Sequence, residues 1–161
     1  MPPKGLSTEG RAKFEALAPV PADQISAITQ DVARWGNLLV KWNAKINLVA
    51  PGTIQDFWVR HALDSAQIIP HIPKETEIIA DFGSGAGFPG LMIAIAAKAS
   101  GSTRHVHLIE SVGKKASFLR TVARELALPA TVHNLRIEAV DPLEADVITA
   151  RAFAPLPRLL P

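Results

Sequence analysis

A chain of 161 residues, 48% apolar and 20% charged, has the length of one domain and the composition of a folded globular protein, which excludes wholesale disorder and leaves room for one active site. It contains no cysteine, so disulfide frameworks, thiolate nucleophiles and Cys-ligated zinc are excluded, in keeping with a reducing compartment. The formal charge of +2 is small, and a nucleic-acid partner would have to be met by a local cluster of Lys and Arg.

Met1 to Gly10 carries no apolar h-region, and the most apolar stretch, Leu91 to Ala97, falls far short of the roughly 20 residues that span a bilayer, so a soluble, cytoplasmic protein without membrane contact is expected. Prolines 2, 3, 19 and 21 mark a loose leader and a hinge around a short helix at Thr8 to Leu17. From Ala22, the residues Ile25, Ile28, Val32, Trp35, Leu39 and Trp42 recur at steps of three and four, one face of a helix that must pack on something. Trp35 and Trp42, seven apart on that stripe, are read as core. Asn43 to Gly52 breaks the pattern, and Thr53 with Asp56 forms a capping-box-like start to a second helix reaching about Ile69, ended by Pro70 and Pro73.

After Pro73 strands and helices alternate. Glu77 to Phe82 reads as a short buried strand, followed by a glycine-rich turn and a helix over Leu91 to Lys98. Strand His105 to Glu110 leads to a helix from about Gly113 to Leu128, then to strands Ala130 to Leu135 and Asp146 to Ala150. The order β-α-β-α-β-β predicts an α/β fold, a mostly parallel sheet with helices on its faces. Residues 1–73 form a helical cap and 74–161 the α/β core, packed as one compact unit.

Chemistry concentrates in the run Asp81-Phe-Gly-Ser-Gly-Ala-Gly-Phe-Pro-Gly90. Gly83, Gly85 and Gly87, directly after a strand, let the backbone turn and approach a ligand, and the next helix aims its N-terminus there. Glu110, ending the second strand, can accept both hydroxyls of a ribose held over that turn. Gly85, Gly87 and Gly90 also fit the G-x-G-x-x-G spacing of dinucleotide enzymes, so NAD and S-adenosylmethionine both remain open on the glycines alone. Three features favour S-adenosylmethionine. Too little chain follows Gly90 for a second mononucleotide half. Pro89 removes an amide from the helix start. Asp81 would attract the ammonium of a methionine moiety and repel a pyrophosphate.

The chain resembles the glucose-inhibited division protein B family, bacterial methyltransferases of a guanine N7 in 16S ribosomal RNA. The residues that carry the resemblance are Trp42-Asn43 with Asn47-Leu48, His61-Ala-Leu-Asp64-Ser65, Asp81 to Gly90, Lys114-Lys115 with Phe118-Leu119, Arg136-Ile137-Glu138 and Arg151-Ala-Phe-Ala. The resemblance implies a Rossmann-like S-adenosylmethionine-dependent methyltransferase sheet behind an N-terminal helical cap, with 16S ribosomal RNA or the small ribosomal subunit as partner and no DNA. By position, Gly83 and Phe88 would line the methionine and adenosine, Ile137 and Glu138 would flank the adenine, and Arg151 would sit at the cofactor mouth beside the target base. Guanine N7 carries no proton and attacks the sulfonium methyl directly, so no proton-transfer residue is expected and Arg151 is the substrate-positioning candidate.

His61 and Asp64, three apart on a predicted helix, either pair as a structural link or contact RNA. Lys114 and Lys115, with Arg120 and Arg124, are either phosphate contacts or a solvated face. His105 and His107 share one face of a strand but lack an evident third ligand, and no metal is expected. Two further readings stay open, a cofactor-binding module without activity and an NAD-dependent oxidoreductase. Family members continue through a further helix and three strands, so the C-terminal strands are expected to be missing and the fourth strand would be an unpaired edge: either the chain is a fragment, the favoured reading, or a partner chain covers that edge, and weak or absent methyl transfer with some cofactor binding retained is expected.

Overall fold

A computed structural model describes residues 5–151. Helix α1 spans Thr8–Leu17; the Ser7 hydroxyl caps it by accepting from the Gly10 amide at 3.0 Å, and Phe14 packs on Trp58. Helix α2, Ile25–Asn43, buries Ile28, Val32, Trp35 and Leu39 completely, as the apolar stripe requires, while Trp42 is half-buried against Phe118. Asn43 closes the helix: its Oδ1 accepts from the amides of Leu48 and Val49, drawing the chain into a tight turn.

The second helix expected from Thr53 to about Ile69 is broken into pieces. Pro51–Asp56 is a 3-10 turn, Phe57–Leu63 a π-helical turn, Asp64–Ala66 a single α-turn (α3) and Ile69–His71 another 3-10 turn. Thr53 does not cap it. Its hydroxyl donates back to the Ala50 carbonyl at 2.8 Å, and the wide turn keeps Phe57, Trp58 and Ala62 buried together.

Four parallel strands, β1 (Ile78–Phe82), β2 (His105–Ile109), β3 (Ala130–His133) and β4 (Val147–Ala150), lie in the order β3-β2-β1-β4. The sheet thus runs outward from β1 in both directions, the arrangement that opens a crevice at the carboxyl ends of the strands. Helix α4 (Gly90–Ser100), stopped by Gly101 in the left-handed conformation, joins β1 to β2, and α5 (Gly113–Glu125) joins β2 to β3. β1, β3 and β4 are one or two residues shorter than expected, and β2 ends at Ile109, with Glu110 just beyond it.

The face carrying Ile79, Asp81, Val106, Leu108 and Thr149 is buried under α4. On the opposite face, among the described residues, the 137–145 segment lies over Ala80, Phe82 and Ile109, and Ile148 remains 60% exposed on edge strand β4. Cap and sheet share one hydrophobic cluster, from Phe14 and Trp35 through Leu91 to Val106 and Leu119. Lys98 fastens the two by pairing with Asp31 and donating to the Leu126 carbonyl, both within 2.8 Å. No helix of the described residues is long and apolar enough to cross a membrane.

Candidate functional site

The turn between β1 and α4 takes its shape from its glycines. Gly87 has a φ of 102°, and a Cβ there would run into the Leu91 side chain. At Gly90 a Cβ would strike the Asp81 carboxylate and Leu108, so only glycine lets α4 start this close to β1. The cap grips the same turn: the buried Trp35 indole N–H donates to the Ala86 carbonyl at 3.2 Å, giving the tryptophan the polar partner that a buried indole needs. The Ser84 hydroxyl donates to the Asp81 carbonyl at 3.0 Å, and the Ser84 amide to the Ile109 carbonyl.

Glu110, 7% exposed, ties this turn to the start of α5. Its Oε2 accepts from the Gly85 amide at 2.8 Å and its Oε1 from the Val112 amide at 3.0 Å. Asn134 donates from its amide to the Glu110 and Ser111 carbonyls, holding the end of β2 against the chain after β3. A carboxylate has about four lone-pair positions, so Glu110 retains acceptor capacity on each oxygen. It faces a cavity of about 250 Å³ lined by Gly83, Ile109, Glu110, Ser111, Leu135, Arg136, Ile137 and Glu138. Apolar walls from Ile109, Leu135 and Ile137 stand beside one buried acceptor and a flexible cation. A second cavity of about 260 Å³, over Ala80, Phe82 and Ile148, shares Ile109 and Ile137 with the first.

The sequence-derived site residues therefore divide. Gly83, Glu110, Ile137 and Glu138 converge on the first cavity. Asp81 lies beneath the turn, 0% exposed, with its Oδ1 accepting from the Thr149 hydroxyl at 2.7 Å and its Oδ2 unpartnered against the start of α4. Burial pushes its carboxyl up to about 6, with the Thr149 hydroxyl pulling the other way. In this geometry Asp81 holds the turn to β4.

Phe88, 9% exposed, is the hub between cap and sheet. Trp35 and Phe57 pack on it, the His61 ring stacks at 4.6 Å and 15°, and the Arg151 guanidinium lies 5.6 Å from its centroid. His61 and Asp64 do not pair with each other as the structural reading expected. His61 Nε2 meets the Thr53 hydroxyl at 3.1 Å, while Asp64 reaches Arg151 Nη2 at 3.3 Å. Arg151 Nη2 also donates to the Arg60 carbonyl. Burial, with Arg151 and Arg60 nearby, holds the His61 imidazole below its usual range. Sequence reasoning gave Thr53 the role of a helix cap and missed Thr149 and the polar role of Trp35; only the last left a signal, since an indole N–H on a core stripe must find a partner.

Lys114 and Lys115 lie apart from that hub and line a cavity with Lys45, Asn47 and Val112 at the start of α5, whose first turn carries no acidic residue. His105 bonds to Thr131, and His107 Nδ1 meets His133 Nε2 at 2.9 Å. Among the described residues no group of three or more His, Asp or Glu side chains is arranged to hold a metal. Ala152, Phe153 and Ala154 of the Arg151-Ala-Phe-Ala run lie outside the described residues.

A parallel sheet with a glycine turn after β1 and an acceptor carboxylate after β2 is that of an α/β protein with the Rossmann-like methyltransferase fold. The chain belongs to the rRNA small subunit methyltransferase G (GidB) family, whose model matches residues 28–160. Among its relatives, the ribosomal RNA small subunit methyltransferase G of Paramagnetospirillum magneticum is 54% identical over 126 residues, covering 78% of this chain and 59% of that protein. The protein of the same name from Caulobacter vibrioides is 46% identical over 149 residues, covering 92% and 66%, and that of Rhodospirillum centenum 51% over 130 residues, covering 81% and 58%. The chain thus spans between 58% and 66% of the length of these relatives.

Proposed function

We propose that this chain carries the cofactor site of an S-adenosylmethionine-dependent methyltransferase that modifies N7 of a guanine in 16S ribosomal RNA. The observation that carries the reading is Glu110: a nearly buried carboxylate bonded to the Gly85 amide, facing an apolar-walled cavity at the carboxyl edge of the sheet. The residues fit the group. Ile109, Leu135 and Ile137 offer flat apolar contact for an adenine, the remaining lone pairs of Glu110 suit ribose hydroxyls, and the turn at Gly83 has no side chain to exclude the methionine portion. Bound there, S-adenosylmethionine would supply an electrophilic methyl on a sulfonium.

What the protein must then do is place a guanine. N7 has a free lone pair that needs no base to expose it, and the residues that would hold the methyl donor, Glu110, Ile137 and the Gly83 turn, stand at the carboxyl edge of the sheet, to which the base must be brought. No proton moves at the reacting atoms, so alignment and a neutral surround matter more than a titrating pair. Arg151, held at the end of β4 by Asp64 and the Arg60 carbonyl, is the positioning candidate at the mouth. His61 and Asp64 beside it, and Lys114 and Lys115 at the start of α5, are the proposed RNA contacts. The family supports methyl transfer over hydride transfer.

The test is transfer of labelled methyl from S-adenosylmethionine to deproteinised 16S RNA and to small subunits, with the modified position mapped by cleavage at N7-methylguanine. Label on one guanine N7 is expected. Label at any other position contradicts the reading, and a full-length family member assayed in parallel separates a fragment that transfers weakly from a binding module.

A further inference from the structure

The Phe88 hub carries two polar atoms whose chemistry is not used by anything around them. The Thr53 hydroxyl spends its one hydrogen on the Ala50 carbonyl at 2.8 Å, so toward His61 Nε2, 3.1 Å away, it can only accept. His61 Nε2 therefore carries the ring proton, and its Nδ1 presents a bare lone pair. Nδ1 is buried and without a partner. On the same ring of Phe88, Arg151 engages Asp64 and the Arg60 carbonyl through Nη2, leaving Nη1 buried and likewise without a partner. One orphan acceptor and one orphan donor thus flank one aromatic ring, and each has hydrogen-bonding capacity to offer an incoming group.

The pair reads a particular base edge. Moving from N7 around the purine, guanine presents an acceptor, O6, and then a donor, N1–H; adenine presents the amino donor and then an acceptor. We infer that His61 Nδ1 and Arg151 Nη1 are the guanine-selecting pair, Arg151 donating to O6 and His61 accepting from N1–H, with N7 left clear toward the turn at Gly83. Adenine would set donor against donor and acceptor against acceptor. Neutral His61 is essential to this reading, and the charges around it agree: Arg151 and Arg60 oppose its protonation, while Asp64 and Asp56 favour it less than burial disfavours it. The base would come in past Arg151, whose side chain is 36% exposed and held through Nη2 by the open Asp64 and the Arg60 carbonyl, each at 3.3 Å. The inference rests on the guanine reading above and extends it to named atoms.

The experiment reads the histidine directly and needs no methyl transfer. The chain labelled with ¹⁵N-histidine is titrated with guanosine 5′-monophosphate and with adenosine 5′-monophosphate while the imidazole nitrogens are followed by NMR. The expected result is an Nε2–H tautomer in the free protein and an upfield movement of Nδ1 with the guanine nucleotide, at an affinity on the order of ten- to a hundredfold above that for the adenine nucleotide. His61→Gln, which keeps a partner for Thr53 but loses the Nδ1 acceptor, should abolish the preference; His61→Asn, which restores an acceptor near Nδ1, should recover part of it. An Nδ1–H tautomer, equal responses to the two nucleotides, or no movement of Nδ1 at any guanine nucleotide concentration would overturn the assignment. If RNA guanine is methylated while His61→Gln discriminates as before, the guanine-selecting pair is refuted and the proposed function stands. A guanine-selective Nδ1 shift with methyl label at a position other than guanine N7 supports the pair and refutes the proposed function.

Discussion

Replacing Glu110 by alanine tests the joint on which the site is built. The carboxylate accepts two amide hydrogen bonds, from Gly85 at 2.8 Å and Val112 at 3.0 Å. Bonds to a charged group are worth about 1.5–3 kcal/mol each. Both amides sit beside the cavity, where water can replace part of what the carboxylate gave, so a net stability loss of about 2–4 kcal/mol is expected. Binding of S-adenosylhomocysteine by the remaining folded protein should weaken by a further ~1–3 kcal/mol, because ribose hydroxyls lose a charge-assisted acceptor and the Gly85 turn loses its anchor. Glu110→Gln should do nearly as badly, since its NH₂ group would face a backbone N–H. Urea unfolding gives the first quantity and calorimetry, under conditions where the variant is folded, the second. An unchanged unfolding midpoint together with unchanged affinity would refute the reasoning.

Gly90→Ala should destabilise the chain by about 1–3 kcal/mol, the usual cost of overpacking, because its methyl group meets the buried Asp81 carboxylate and Leu108; a melting temperature equal to that of the parent would contradict the packing described. His107 and His133, 2.9 Å apart, are both held below the usual 6.5 by burial and by neighbouring imidazoles. Below that pH the unfolded chain binds more protons than the folded one, so the stability these residues contribute is complete above about pH 6.5 and is lost as the pH falls. Thermal unfolding between pH 7 and 5 should show this decline, shallower in His133→Gln, and an unaltered slope in that variant would mean that the pair does not cause it. Arg151→Ala should lower methyl transfer about ten- to a hundredfold while S-adenosylhomocysteine affinity changes far less; turnover at the parent rate would take Arg151 out of the site.

Much of this architecture is legible in the sequence because it rests on local rules. The α2 stripe, the glycine turn and the alternation of apolar strands with helices each follow from a repeat or a backbone requirement within a few residues. The same locality explains what the sequence hides. Across one turn, the apolar spacing of Phe57, Trp58 and Ala62 fits an α-helix as well as the wider turn observed, and the choice is made by packing against α1 and Phe88. The partners of His61 and Asp64 follow from that choice, since Thr53 is eight residues before His61 and Arg151 comes from the far edge of the sheet. Asp81 shows the limit most clearly: a carboxylate two residues before a glycine turn reads as a ligand contact, and nothing in the spacing announces the bond that strand parity gives it from Thr149. Glu110, by contrast, is found where spacing puts it, but its bonds to the Gly85 and Val112 amides follow only from the fold.

The central claim, that the cavity beside Glu110 takes the adenosine of S-adenosylmethionine, is tested most directly by calorimetric titration of the 161-residue chain with S-adenosylhomocysteine and, in parallel, with NAD. Saturable one-site binding of S-adenosylhomocysteine and no comparable heat with NAD are predicted; NAD binding as tight or tighter, or no S-adenosylhomocysteine binding by the folded chain, would contradict the claim.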